Sequence, residues 1–303
     1  MKNDEKIVIP KNLLKFAKKT SFVSAGVICA HQESVIESTK EAYELGLINP
    51  IFIGNKKLIE KITRKLKWDI SNFKIYEEIS DKNAAAKGAE LAKKKKIKIM
   101  IKGNIHTDIL MKIYLKKEFG LIEGKRLSHI WHMTRENNDK PLFITDGALN
   151  VLPRLEVKMH ILKNVINFSN KIGITKPRIA ILSGTEDPIE SMPSSIEAKK
   201  IMERAKKEKI KAYVHGPLAF DNAVSPEAAK IKKIHNNVAG KADVLLVPNL
   251  ETGNALSKIM VYFMGACAAG FIVGGKVPVV VTSRADNSAS RLASIAAAVI
   301  AAN

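Results

Sequence analysis

The sequence predicts an α/β fold built as two domains. Short apolar, β-branched runs alternate with amphipathic helical runs along most of the chain, and nearly every apolar run stops abruptly at a polar turn. At 303 residues the chain exceeds the comfortable size of one core, and 46% hydrophobic residues are enough to fill two. Strand, polar turn and helix in regular succession predict three-layer α/β/α domains, each with a parallel sheet and crossover helices.

Taken in order, residues 13–19 carry a helical period and 23–29 form the first buried strand, ending at Ala30, His31 and Gln32. A helix over 33–45 stops at Gly46, the residue type that accepts a left-handed end. Strand 51–53, helix 57–65 and strand 73–76 follow. The lysine-rich helix 83–96 leads into strand 97–101, which breaks at Lys102, Gly103 and Asn104 before His106, Thr107 and Asp108 open a helix to residue 117. Residues 126–133, RLSHIWHM, alternate like a strand, and 141–144 form another that ends at Thr145, Asp146 and Gly147. The long amphipathic helix 153–172 begins a second series: strands 179–182, 212–215 and 244–247, helices 195–207 and 226–234, a turn at 183–186 and a loop at 216–222. Residues 260–275, MVYFMGACAAGFIVGG, are too short and too rich in glycine to span a membrane. They predict the end of a buried helix, a glycine turn and a core strand. Strand 277–281 then gives way to a polar turn and an alanine-rich helix from residue 289. The expected division places 1–147 with 284–303 in a first, discontinuous domain closed by the C-terminal helix, and 148–283 in a second.

The formal charge of +20 points to a polyanionic partner, either a nucleic acid or a phosphate-rich metabolite. Against nucleic acid, the lysines are scattered over helices (Lys93 to Lys96, Lys206 and Lys207, Lys232 and Lys233), aromatics are only 6%, and no stacking platform accompanies them. A lysine-rich genome-wide bias gives the same total. Cys29 and Cys267 lie far apart in apolar runs and read as buried free thiols of a reducing compartment. The N-terminal residues lack the apolar core and cleavage pattern of a signal peptide, so the expected location is cytoplasmic.

No G-x-S-x-G elbow, no G-x-x-x-x-G-K-[ST] loop and no G-x-G-x-x-G after a strand occurs, which lowers the serine hydrolase, P-loop and dinucleotide dehydrogenase readings together. His129 and His132 in HIWH lack the carboxylates or cysteines that would complete a metal site and read as packed strand histidines. Chemistry is left to the polar turns at strand ends. The turn after 277–281 offers a hydroxyl (Ser283), a permanent planar cation (Arg284) and a carboxylate (Asp286), next to the N-H groups of a helix start. The alternative is that Asp286 or Ser288 caps the last helix, with Arg284 on its solvated flank. Asn249, Glu251 and Asn254 crowd the turn after 244–247, either as substrate contacts or as an ordinary capping loop with Glu251 at a helix N-terminus.

Six spaced segments resemble the phosphate acetyltransferase and phosphate butyryltransferase family: KGNIHTD at 102–108, RLSHIWHM at 126–133, TDGALNVLP at 145–153, GPLAFDNAVS at 216–225, VPNLETGN at 247–254 and VPVVVTSRAD at 277–286. The resemblance implies an isocitrate/isopropylmalate dehydrogenase-like fold of two domains with a cleft between them, and a homodimer whose interface lies in the second domain. It implies the reversible reaction acyl-CoA plus phosphate giving acyl phosphate plus CoA, with acetyl favoured and butyryl open. CoA and phosphate are then substrates, with no metal and no further cofactor, and with neither nucleic acid nor membrane as partner. The family's active-site serine and arginine fall on Ser283 and Arg284. The catalytic aspartate of the acetyl branch falls on Ser290, a departure that leaves Asp286 as the nearest carboxylate, in the place of the base. Lys102, His106, Thr107, Arg126, Asn249, Glu251 and Asn254 become expected substrate contacts. Two other readings remain: a metal-dependent decarboxylating dehydrogenase of the same fold, and a nucleic-acid-binding protein using its basic surface.

Overall fold

Helix α1 (Lys11–Lys18) buries Leu13 and Ala17, one helical turn apart on the same face. The computed structural model describes residues 8–20, 22–122, 124–135, 140–283 and 286–303. Strand β1 (Val23–Ile28), helix α2 (Glu33–Glu44), strand β2 (Ile48–Gly54), helix α3 (Lys56–Lys65), strand β3 (Ile75–Glu77), helix α4 (Asp81–Lys93), strand β4 (Ile99–Lys102) and helix α5 (Thr107–Tyr114) follow in turn. Asn55 and Ser80 cap α3 and α4, accepting the Leu58 and Asn83 N-H groups at 3.1 and 3.2 Å. Gly46 takes a left-handed φ of 71° beyond α2, where a side chain would strain the backbone.

The middle of the chain carries strands β5 (Ser128–Thr134) and β6 (Leu142–Thr145), helix α6 (Leu155–Lys171), strand β7 (Arg178–Leu182), helix α7 (Pro193–Lys207), strand β8 (Tyr213–Leu218), helices α8 (Phe220–Val224) and α9 (Pro226–Ile231), strand β9 (Val244–Leu246) and helix α10 (Leu250–Met264). The last segment adds strands β10 (Cys267–Val273) and β11 (Val279–Val280) and helix α11 (Ser288–Ala302). The region expected as a loop at 216–222 is part strand and part helix, because β8 continues to Leu218 and α8 starts at Phe220. The strand expected over 277–281 is regular only at Val279 and Val280, with single backbone bonds at Pro278 O and Val281 N-H on either side. Pro278, which has no N-H to give a neighbour, precedes them.

The chain divides into two compact units. The first comprises the described residues up to Lys125 together with Ala269–Asn303, and the second is Arg126–Ala268. Sequence places the crossings later, after 147 and after 283. Pairing accounts for the difference: β5 and β6 bond to each other and β6 to β9, whereas β11 bonds to β10 and β4. In the first unit the strand order is β3-β2-β1-β4-β11-β10, and in the second it is β5-β6-β9-β7-β8. Most pairs are parallel, as expected, but β5/β6 and β10/β11 are antiparallel. Each of these pairs is joined by a connection too short for the crossover a parallel pair needs. The mixed α/β character stands, with helices packed on the sheet faces. Helix α11 is sunk so deeply that eleven of its fifteen residues are buried.

Candidate active site

In the first unit β2, β1, β4 and β11 run parallel, with Ile28 opposite both Ile53 and Lys102, and Ile101 opposite Val280. Their carboxyl ends therefore share one sheet edge, where α/β proteins place ligands. Three strand-to-helix turns line it: 29–32 before α2, 103–106 before α5 and 281–287 before α11. Gly103 makes the middle turn possible. A Cβ there would lie 2.4 Å from the Ile28 and Cys29 carbonyl oxygens, while its N-H donates to Ile28 O at 2.8 Å and that of Asn104 to Cys29 O at 2.9 Å. Lys102, half-buried at the end of β4, is thus fixed beside β1. Burial pushes the neighbouring Cys29 thiol up to about 12, helped by the Asp81 carboxylate it touches at 3.5 Å and opposed by Lys102. A thiol so protonated does no nucleophilic chemistry at neutral pH. His106 is exposed at the N-cap of α5 without a side-chain capping bond, and Thr107 opens the helix. Asp108 pairs with Lys112 along the helix.

The third turn holds the candidate catalytic group. Thr282 is buried, whereas Ser283 and Asp286 are half-buried. Asp286 Oδ2 accepts the Ser283 N-H at 2.6 Å, and the Asp286 N-H returns to Ser283 O at 3.2 Å. The cap of α11 is Asn287, whose Oδ1 accepts the Ser290 N-H at 2.8 Å. The alternative in which Asp286 or Ser288 caps the helix is therefore corrected: Asp286 closes the turn instead. Arg284 lies outside the described residues. The residue that sequence reasoning missed is Arg291, 3% exposed, whose guanidinium reaches Thr282, Ser283 and Asp286. Its signal was present: it is the one charged residue in the sequence of α11, SASRLASIAAAVIAA.

The second unit builds an edge of its own. β6, β9 and β7 are parallel, and β5, antiparallel to β6, brings its beginning to the carboxyl end of β6. Asp146, 2% exposed, organises this edge. One carboxylate oxygen accepts the His129 N-H at 2.9 Å and Asn150 Nδ2 at 2.6 Å, and the other accepts the Ala148 and Leu149 N-H groups at 3.1 and 2.9 Å. Burial raises its pKa, and these donors pull against that. Asn249 caps α10, accepting from Thr252 N and Oγ1 at 2.9 and 2.6 Å. Its side chain is thus engaged in capping, as the ordinary-loop reading of 248–254 expects. Gly147 and Gly253 meet backbone to backbone: a Cβ on Gly253 would fall 2.7 Å from Gly147 Cα. Asn254 Nδ2 reaches Gly147 O at 3.4 Å, Glu251 is exposed in the first turn of α10, and exposed Arg126 precedes β5 at the same edge. The candidates thus form two groups, Lys102, His106, Thr107, Ser283 and Asp286 in one unit and Arg126, Asn249, Glu251 and Asn254 in the other. A cavity of about 490 Å³ beside the second edge is lined by Leu152, Leu155, Lys158, Glu197, Pro248 and Asn249 among others. A larger one, about 870 Å³, lies against α3 and Trp68, and no candidate residue lines it.

His129 and His132 are both buried on β5, with pKa values pushed down by burial to about 3 and about 4. They are neutral core residues at neutral pH. Among the described residues no group of three His, Cys, Asp or Glu side chains is placed to hold a metal, and no helix is long and apolar enough to cross a membrane.

Residues 77–301 match the family model for phosphate acetyl/butaryl transferase. The chain is 40% identical to the phosphate acetyltransferase of Rhizobium meliloti over 279 residues, covering 91% of this chain and 88% of that one. It is 37% identical to the phosphate butyryltransferase of Clostridium acetobutylicum, covering 94% and 96%. Among solved structures, a branched-chain phosphotransacylase from Enterococcus faecalis superposes with a TM-score of 0.82 at 30% identity, covering 93% of this chain and 99% of that one.

Proposed function

Because this chain belongs to the phosphate acetyl/butaryl transferase family, we propose that it moves a short acyl group reversibly between CoA and phosphate. The family match over residues 77–301 carries the reaction class. The shared edge of β4 and β11, with Lys102 and the 282–286 turn side by side, supports the location. Neither a decarboxylating dehydrogenase nor a nucleic-acid-binding protein finds support in these likenesses.

In this reading the substrate supplies the thiol, which accords with a Cys29 that burial keeps protonated at neutral pH. Asp286 takes the thiol proton, and the thiolate attacks the acyl carbonyl of the acyl phosphate, with phosphate leaving. The Ser283 N-H holds the Asp286 carboxylate at 2.6 Å, so the base is oriented before substrate arrives. Ser283 Oγ and the Arg284 guanidinium, by the family resemblance, bind phosphate and the developing oxyanion, and Lys102 adds a second cation. Thr107 and His106 at the start of α5 extend the anion-binding edge. Arg126, Asn249, Glu251 and Asn254 are proposed as substrate contacts at the edge of the second unit, Asn249 while it caps α10. No metal or further cofactor takes part.

The two-domain arrangement of the isocitrate and isopropylmalate dehydrogenases, a cytoplasmic location and a homodimer belong to the same proposal. Helix α10 supports the last: it buries fully only Gly253 and Ser257, while Ile259, Tyr262, Phe263 and Met264 are exposed, Phe263 by 83%. The end of this helix was expected to be buried. An apolar face turned outward in a strongly cationic chain is what a second copy would cover. Sedimentation of the wild type and of Phe263→Glu distinguishes dimer from monomer.

A thiol-release assay with acetyl-, propionyl- and butyryl-CoA plus phosphate tests the reaction and its chain length together. Phosphate-dependent release from at least one is expected. Release from none, with the protein folded, would overturn the reading.

A further inference from the structure

We propose that Arg291 is a positioning residue that fixes the acyl-transfer turn, a role that rests on the acyltransferase reading above. Its guanidinium bonds to three described residues of the turn. Nη1 donates to Thr282 Oγ1 at 3.1 Å, Nη2 to Ser283 O at 2.8 Å and Nε to Asp286 O at 3.2 Å. Three donors of one rigid fork therefore hold residues on both sides of Arg284. The mutual bonds between Ser283 and Asp286 close the same loop.

Geometry and burial together set this residue apart from a surface cation. Helix α11 is otherwise alanine, serine and apolar residues, and Arg291 sits on its buried face at 3% exposure. Burial lowers its pKa, Asp286 and Glu37 oppose that, and a guanidinium stays charged throughout. A buried cation is retained only where hydrogen bonds meet its donors. Those donors are met here by the turn that carries the chemistry. A lysine could supply the charge but only a compact ammonium, which cannot bridge three acceptors in one plane.

The test compares wild type with Arg291→Met, Arg291→Lys and Thr282→Val. Steady-state kinetics with acetyl phosphate and CoA are combined with hydrogen exchange of the 282–286 amides. In folded Arg291→Met, kcat is expected to fall by about 10- to 100-fold with KM values within about 2-fold, because a displaced near-attack geometry lowers turnover without removing a binding contact. Arg291→Lys should be intermediate, and exchange of the 282–286 amides should quicken while that of β10 does not. A kcat within about 2-fold of wild type in Arg291→Met, or in both other variants should Arg291→Met not fold, overturns the proposal. So does a rise in KM at unchanged kcat, which would make Arg291 a substrate ligand. If wild type itself transfers no acyl group, the functional reading fails. The exchange comparison then decides positioning alone, with unchanged rates in 282–286 overturning it.

Discussion

Acidification should destabilise this protein through two buried histidines of β5. His129 and His132 sit fully buried on β5, and burial holds their pKa values at about 3 and about 4, against 6.5 for a solvated imidazole. Neither ring nitrogen of His129 has a hydrogen-bond partner among the described residues, so nothing offsets the cost of charging it. Because the folded values are depressed, the unfolded chain takes up protons first. The stability this confers is complete above about pH 6.5 and is lost as pH falls through the folded values. Between pH 7 and pH 5 each histidine should remove about 2 kcal/mol, about 4 in all, a large part of the roughly 5–15 kcal/mol typical of a domain. Urea unfolding at pH 7, 6 and 5, followed by circular dichroism, measures the slope. His129→Leu should remove about half of it, and comparison with wild type cancels the opposite contribution of Asp146, whose pKa burial raises. A His129→Leu slope equal to that of wild type would refute the reasoning.

Three substitutions test the turns. Asn287→Ala removes the cap that accepts the Ser290 N-H and should cost about 1 kcal/mol, read as a lowered thermal midpoint. Gly253→Ala drives a Cβ to 2.7 Å from Gly147 Cα, where only backbone can give way, and should destabilise by about 1–3 kcal/mol in urea titrations. Asp286→Asn should lower kcat by about 10²-fold or more with little change in the KM for phosphate. If Glu251→Gln produces that fall instead, the base belongs to the α10 turn.

Strand and helix identity was legible because burial leaves a periodic trace. The Val23 to Ile28 run, the polar break at Lys102 and Gly103 and the glycine stop at Gly46 all stand where the pattern puts them. Antiparallel pairing of β10 with β11 was not legible, since a run of Val residues looks the same in either direction. The outward face of α10 was also hidden. Tyr262 and Phe263 have the chemistry of core residues, and only the fold shows that Gly253 and Ser257 occupy the inner side. At the candidate site, residue types were readable and partners were not. The sequence offered Asp286 and Ser288 as caps for the next helix, and Asn287 takes the role because α11 begins at Ser288, a boundary that periodicity places only to within a residue or two. Asp146 and Arg291 escaped notice for a common reason. Their roles lie in hydrogen-bond partners that the fold reveals: the His129 N-H for Asp146, and Thr282 Oγ1 with the Ser283 and Asp286 carbonyls for Arg291.

The start of α11 also bears on which carboxylate could serve as base. The family resemblance offers two positions, 290, where the acetyl branch carries aspartate, and 286. Ser290 is 2% exposed, at the third residue of a helix packed against β11 and β4, and its carbonyl accepts from Ser294 Oγ at 2.7 Å. A carboxylate there would lose its hydration, and its ionised form would be correspondingly disfavoured. Asp286 remains half-buried and is oriented by a backbone N-H. A chain with serine at 290 therefore keeps an oriented carboxyl group in the turn itself. On this argument Ser290→Asp in the Asp286→Asn background should restore little activity, because the new carboxylate enters a closed site. Recovery to within about 10-fold of wild-type kcat would instead place the base one helical turn further on.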